Sequence, residues 1–155
     1  MPKIDIETMA ETNSCGYPPP FNEIARGRFR KRLGDAGGLN QFGVNLCRLE
    51  PGAASSQRHW HEKEDELVYV LAGEVVLVED GGETVLRAGD AAAFKAGVAN
   101  GHHLTNRSNR DALFLEIGTR ELNERGHYPD IDLKFVSENG AHRFLHKDGR
   151  PYSSD

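Results

Sequence analysis

Two histidines one residue apart, His59 and His61, and a glutamate, Glu66, stand in the stretch 52–73, GAASSQRHWHEKEDELVYVLAG. Their types and spacing point to metal chemistry. In a β-strand, side chains alternate between faces, so His59 and His61 point the same way. An apolar run with β-branched Val68 and Val70 follows and reads as the next strand. Glu66 opens that run in phase with both valines, so a core-facing phase takes its carboxylate inside too. Two imidazoles and a carboxylate turned inward need a reason, because an unpaired buried charge is expensive. A divalent cation supplies one. Nitrogen and oxygen donors without a thiolate suit borderline ions such as Zn²⁺, Fe²⁺, Mn²⁺, Ni²⁺ or Cu²⁺.

The elements that must position these residues read as short strands. Residues 39–49 form a long one, with Phe42, Val44, Leu46 and Arg48 in one phase, closed by Glu50-Pro51-Gly52. The histidine pair lies on 56–61 and Glu66 on 66–71. Further strands read at 75–78 and 84–86, joined by the hairpin Asp80-Gly81-Gly82, then at 91–94, 102–106 and 112–117. Many short strands punctuated by glycine turns predict an all-β sandwich or barrel. No stretch before residue 118 has a helical period.

The stretch around the histidine pair resembles the first motif of the cupin superfamily: glycine, a gap, His-x-His, Glu, then Gly after six residues. The match is complete from His59 to Gly73; before it, six residues follow Gly52 where the motif has five. Residues 89–106, GDAAAFKAGVANGHHLTN, resemble the second motif. Gly89 and Gly97 fit, Lys95 replaces the usual proline, and Asn100-Gly101 is an insertion. Counting back from Asn106, the His-x-x-x-Asn spacing selects His102. The insertion leaves His103 as its alternate. The wording HWH, EDELVYVL and NGHHL is similar to small stand-alone bacterial cupins.

This resemblance implies a cupin double-stranded β-helix, or jelly-roll β-barrel. It implies one divalent metal ion per chain, held by His59, His61, Glu66 and His102, with Glu64 the fallback carboxylate. It also implies a homodimer and a small polar substrate that chelates the ion through two oxygens. Isomerase, dioxygenase and lyase chemistry all occur among similar cupins, and fold does not choose between them. A non-catalytic binding or sensing module is the alternative. No catalytic residue outside the ligand set can be named from the pattern.

The whole chain, 155 residues with a net charge of −5, reads as a single domain: a core at about 38–118, an N-terminal arm at 1–37 and an irregular C-terminal extension at 119–155. The acidic balance gives no drive toward nucleic acid or an anionic membrane, and no apolar segment is long enough for a membrane span. Cys15 and Cys47 form no CxxC pattern, and the polar first residues lack a signal-peptide core, so the expectation is a cytoplasmic protein without disulfides. The basic run RGRFRKR, 26–32, reads as a solvated segment or as a counterpart to the acidic stretch 62–66. His142 and His146 have the spacing that pairs histidines on a helix but lack the glutamate of HExxH; His127 has no evident partner. The extension is expected to pack over the core and shape the pocket. Because all four implied ligands precede Gly118, the metal site is expected to form without it.

Overall fold

The computed structural model describes residues 3–152. Among them are twelve strands: β1 (Arg28–Arg32), β2 (Phe42–Leu49), β3 (Trp60–His61), β4 (Glu66–Ala72), β5 (Glu74–Glu79), β6 (Gly82–Arg87), β7 (Ala91–Phe94), β8 (His103–Thr105), β9 (Ala112–Thr119), β10 (Glu124–Tyr128), β11 (Leu133–Glu138) and β12 (Ala141–Leu145). A 3₁₀ turn at Phe21–Ala25 and a four-residue helix, α1 (Leu33–Ala36), precede β2. The strands form a five-stranded sheet, β1-β2-β9-β4-β7, a three-stranded sheet, β6-β5-β8, and a four-stranded sheet, β12-β11-β10-β3. This is the expected all-β jelly-roll barrel.

Alternation along β4 decides which face of the large sheet is inward. Val68 and Val70 are buried while Leu67, Tyr69 and Leu71 are exposed. Register carries that face across the sheet, because directly paired residues point to the same side. Val68 pairs with Glu116 and Val70 with Phe114 on β9; Cys47 pairs with Phe114, and Leu49 with Ala112. Together with Val75, Leu77, Leu86 and Leu104 from the three-stranded sheet, these make one core. Toward the other end the same inner face turns polar: Asn45, Glu116 and Glu66. The turn from β4 to β5 needs Gly73, whose φ is +76° and where an added Cβ would lie 2.8 Å from the Asp111 carbonyl.

Several elements differ from the sequence reading. Phe42, Val44 and Leu46 share one phase of β2 as expected, a phase the sequence did not orient; it faces outward, with Phe42 exposed, and Cys47 and Leu49 face inward. Apolar residues on both faces of β2 hide which phase is buried. The strand expected at 56–61 is reduced to Trp60–His61, with His59 in a single bridge to His102. The C-terminal segment is not irregular: β10, β11 and β12 pair in antiparallel register. Its periodicity is invisible because the buried positions of β10 are Glu124, Gly126 and Tyr128 rather than aliphatics. His142 therefore lies on a strand, stacked on Phe135, and His146 faces Asp132 at 2.7 Å, so the two form no helical pair. At the other terminus, Thr12 bridges to Arg30 of the same chain. Cys15 and Cys47 are both free. No helix among the described residues is long and apolar enough to cross a membrane.

Candidate metal centre

Three imidazoles gather around one carboxylate oxygen at the polar end of the barrel. Glu66 Oε2 lies 2.8 Å from His102 Nε2, 3.6 Å from His59 Nε2 and 3.8 Å from His61 Nε2. His59, His61 and Glu66 offer donor atoms all within 4.8 Å of one another. Each residue arrives from a different element. Glu66 opens β4 opposite Gly118 and Phe94. His59 and His102 face each other through paired backbone hydrogen bonds of 3.1 and 2.9 Å, and their rings lie 5.1 Å apart. His61 sits on β3, paired with Gly126 of β10. Gly126 leaves room there: a Cβ would already press on Phe135 at 3.3 Å and approach the His61 ring at 3.8 Å.

The outer nitrogens of two rings face carbonyls. His59 Nδ1 is 2.8 Å from the Gln57 carbonyl, and His102 Nδ1 is 3.4 Å from that of Asn100. A carbonyl only accepts, so Nδ1 of His59 carries the hydrogen and Nε2 keeps its lone pair toward Glu66. His61 Nδ1 is buried and has no hydrogen-bond partner; Glu64 Oε2 and Glu124 Oε1 lie 3.7 and 3.8 Å away. A cation among the Nε2 atoms suits this arrangement, since metal-ligating histidines commonly turn their second nitrogen to a carbonyl or carboxylate. The donor set, nitrogen and oxygen without sulfur, fits a borderline divalent ion.

Packing holds the rings in place. Phe94 stacks on His102 with centroids 3.6 Å apart and planes 2° from parallel, and Tyr128 lies 5.7 Å from His59. Burial disfavours ionisation of Glu66, yet the 2.8 Å contact with His102 and the close imidazoles of His59 and His61 hold its carboxyl well below the usual range. Burial likewise works against the His61 imidazolium, but Glu124, Glu66 and Glu64 outweigh it and raise the pKa.

The two alternates fall elsewhere. His103 turns to the Ser56 carbonyl at 2.9 Å, and burial pushes its imidazole below the ordinary value. Glu64 lies on the far side of the His61 ring, where it forms a second three-residue group with His61 and Glu124. Sequence reasoning missed Glu124, which is 1% exposed and accepts hydrogen bonds from the backbone N–H groups of Glu62, Lys63 and Arg125 at 2.8, 2.9 and 2.9 Å. Nothing in its local pattern distinguishes it from a surface glutamate. His127, without an evident partner in sequence, stacks on Trp60 and reaches Glu62 Oε1 at 2.8 Å.

Two cavities share His61, Glu64 and Glu66. One, of about 190 Å³, opens past Trp60, Lys95 and Asn100. The other, of about 380 Å³, runs from the histidines to Arg28, Arg30 and Arg32 of β1. The segment around Tyr17 and strands β10 and β12 roof the larger one: Tyr17 packs edge-on against Tyr128 and Phe144, at 5.7 and 5.4 Å. The basic run is therefore only partly solvated, with Arg26 and Arg32 exposed, and within the chain it does not pair with the acidic stretch. Arg28 is buried, Arg30 pairs with Glu116 at 2.8 Å, and Arg26 pairs with Glu23.

With fold and site in view, the chain belongs to the cupin superfamily, as a small cupin-2 type protein; the Cupin_2 family, the cupin domain, matches residues 45–118. Across nearly its whole length it is similar to a sugar phosphate isomerase of the cupin superfamily from Silicibacter pomeroyi: 47% identical, covering 99% of this chain and 98% of that one, TM-score 0.93. A putative sugar phosphate isomerase from Acidithiobacillus ferrooxidans is 30% identical over 83% of this chain and 81% of its own, TM-score 0.73. A beta-D-galactosidase from Mycobacterium tuberculosis is 36% identical over 98 residues, 63% of this chain and 78% of that protein.

Proposed function

We propose that this cupin is a metal-dependent isomerase of a small phosphorylated sugar, with one divalent ion per chain held by His59, His61, Glu66 and His102. The convergence of three imidazole Nε2 atoms on one carboxylate oxygen, at the wall of a cavity large enough for such a substrate, carries the reading. The similarity to a sugar phosphate isomerase over 99% of the chain supports the substrate class, and a sugar-directed relative of another activity supports the carbohydrate part of it. When bound, a divalent ion polarises adjacent carbonyl and hydroxyl oxygens and so acidifies the hydrogen between them. The chain's own residues supply the rest. Phe94, stacked on His102, and Tyr128, beside His59, keep water from the rear of the imidazoles. Glu64 lines both cavities outside the ligand set and is the carboxylate we assign to carry the proton. Burial raises its pKa, which suits a proton carrier.

The same reading includes a cytoplasmic homodimer. Leu67, Tyr69 and Leu71, each about two-fifths exposed, project from the outer face of β4 and support an apolar contact between copies. Sizing with light scattering should give twice the chain mass, and a monomer at micromolar concentration would remove that part. The central experiment pairs elemental analysis with an aldose–ketose interconversion assay on a panel of sugar phosphates. Wild type should carry one equivalent of metal and turn over at least one member. His59→Ala with His61→Ala should abolish both. A full equivalent of metal in the double variant sinks the ligand set; tight binding without turnover favours the non-catalytic binding module instead.

A further inference from the structure

We propose that Arg28, Arg30 and Arg32 form a phosphate-binding subsite at the end of the large cavity away from the histidines. It would seat the substrate's phosphate while the sugar oxygens reach the His/Glu cluster, and it rests on the sugar-phosphate reading above. The three arginines occupy alternate positions of β1 and share the inner face with their partners Leu49, Cys47 and Asn45. The intervening residues face outward: Phe29 lies under the Arg48 guanidinium, and Lys31 Nζ donates to the Ile6 carbonyl.

Charge in this corner is unbalanced. Arg28 is 4% exposed and donates only to neutral carbonyls, those of Ser55 and Ser14, at 2.8 and 2.9 Å. Among the described residues it has no carboxylate partner, and its Nε is buried without a hydrogen bond. Arg30 pairs with Glu116 at 2.8 Å, but its Nε is likewise buried and unpaired. Arg32 is half exposed; it reaches the Ser14 hydroxyl at 3.4 Å and one oxygen of Asp35 at 3.8 Å, the other oxygen of which is taken by Arg120. Of the three guanidinium groups, Arg28 has no carboxylate partner, Arg30 shares Glu116 with Asn45, which binds it at 3.1 Å, and Arg32 lies at the rim beside Asp35. Burying charge without a counter-ion is costly, so an anionic ligand completes this corner. The unpaired Nε donors of Arg28 and Arg30 suit a ligand with several acceptor oxygens and a charge of about −1.5 to −2 near pH 7, as a phosphate monoester has. Guanidinium forks also suit phosphate oxygens geometrically.

The test uses the full chain as purified, in phosphate-free buffer, titrated calorimetrically with inorganic phosphate while metal content is measured for each variant. Wild type should bind one phosphate per chain. Arg30→Gln and Arg32→Gln should each weaken it roughly tenfold, as loss of a charge-assisted hydrogen bond does, and Arg30→Lys should weaken it less. Metal content should stay at wild-type level. Arg28 is buried, so Arg28→Gln is interpreted only beside its melting temperature; the exposed Arg32 carries the test. In turnover, KM for a phosphorylated sugar should rise in the arginine variants with kcat little changed. Wild-type phosphate affinity in both glutamine variants at full metal overturns the subsite. So does phosphate binding that follows metal content rather than the arginines. Sugar-phosphate turnover with unchanged KM in those variants refutes the subsite and leaves the isomerase reading standing. Arginine-dependent phosphate binding in a protein that converts no sugar phosphate refutes that reading and keeps the subsite.

Discussion

The two ends of the large cavity are built in opposite ways. At one end, His59, His61, Glu66 and His102 converge through short links: a bridge between two loops, a two-residue strand and the first residue of β4. At the other, Arg28, Arg30 and Arg32 lie on one strand whose register with β2 is regular throughout. The histidine end depends on partners brought from distant parts of the chain. The arginine end depends on β-alternation and on what the cavity will hold. One should therefore fail by losing structure, the other by losing a ligand.

The largest contrast comes from truncation after Gly118. From sequence, the metal site is expected to survive this cut. The pairing of β3, which carries His61, with β10 and, among the described residues, with no other strand argues for the opposite outcome. Truncated protein should lose most of its metal and much of its stability, since Leu133, fully buried, and its neighbours leave with the segment. A folded, fully metallated truncation would show that His61 holds its place without β10.

A smaller break separates the neighbouring histidines. His102→Ala should remove most of the bound metal, while His103→Ala, at a residue turned to the Ser56 carbonyl, should leave it nearly intact. Elemental analysis of the two decides it, and the reverse order would place the second motif one residue out. Glu124→Gln should come next. It leaves His61 in position but weakens its support, and loss of an outer-shell partner typically costs about 10–100-fold in metal affinity. Competition with a chromogenic chelator reads that loss; unchanged affinity would make Glu124 a support of the 62–63 turn alone. The smallest effect on stability belongs to Arg32→Gln. As a half-exposed surface change it should shift unfolding free energy by less than about 0.5 kcal/mol, measured by urea titration, while phosphate affinity falls. A large destabilisation there would mean that the arginine strand holds the barrel together.

Much of the core was legible because its signals are local. Alternation at 66–70 set the inward phase of β4 and carried Glu66 inside with Val68 and Val70. β-alternation put His59 and His61 on one face, and the resemblance to the second cupin motif, counted from Asn106, pointed to His102 with His103 as its alternate. The Asn106 amide proves to be fully buried, donating to the carbonyls of Leu49 and Arg110. Strand 91–94 was read with its bounds intact.

The rest was decided only by the tertiary structure, for physical reasons that no local window contains. Both faces of β2 carry apolar residues, so its buried phase depends on which sheet lies beneath it. The inward positions of β10 hold a glutamate, a glycine and a tyrosine. They are buried because His61, the 62–63 turn and Tyr17 meet them there, not because of their own hydrophobicity. The basic run alternates like any strand, but alternation cannot say whether a face meets solvent or a cavity. Pairing of β1 with β2, and of β2 with β9, turns Arg28, Arg30 and Arg32 toward Glu116 and the histidines. Spacing along the chain determined which side chains share a face; only long-range strand pairing determined what that face looks upon.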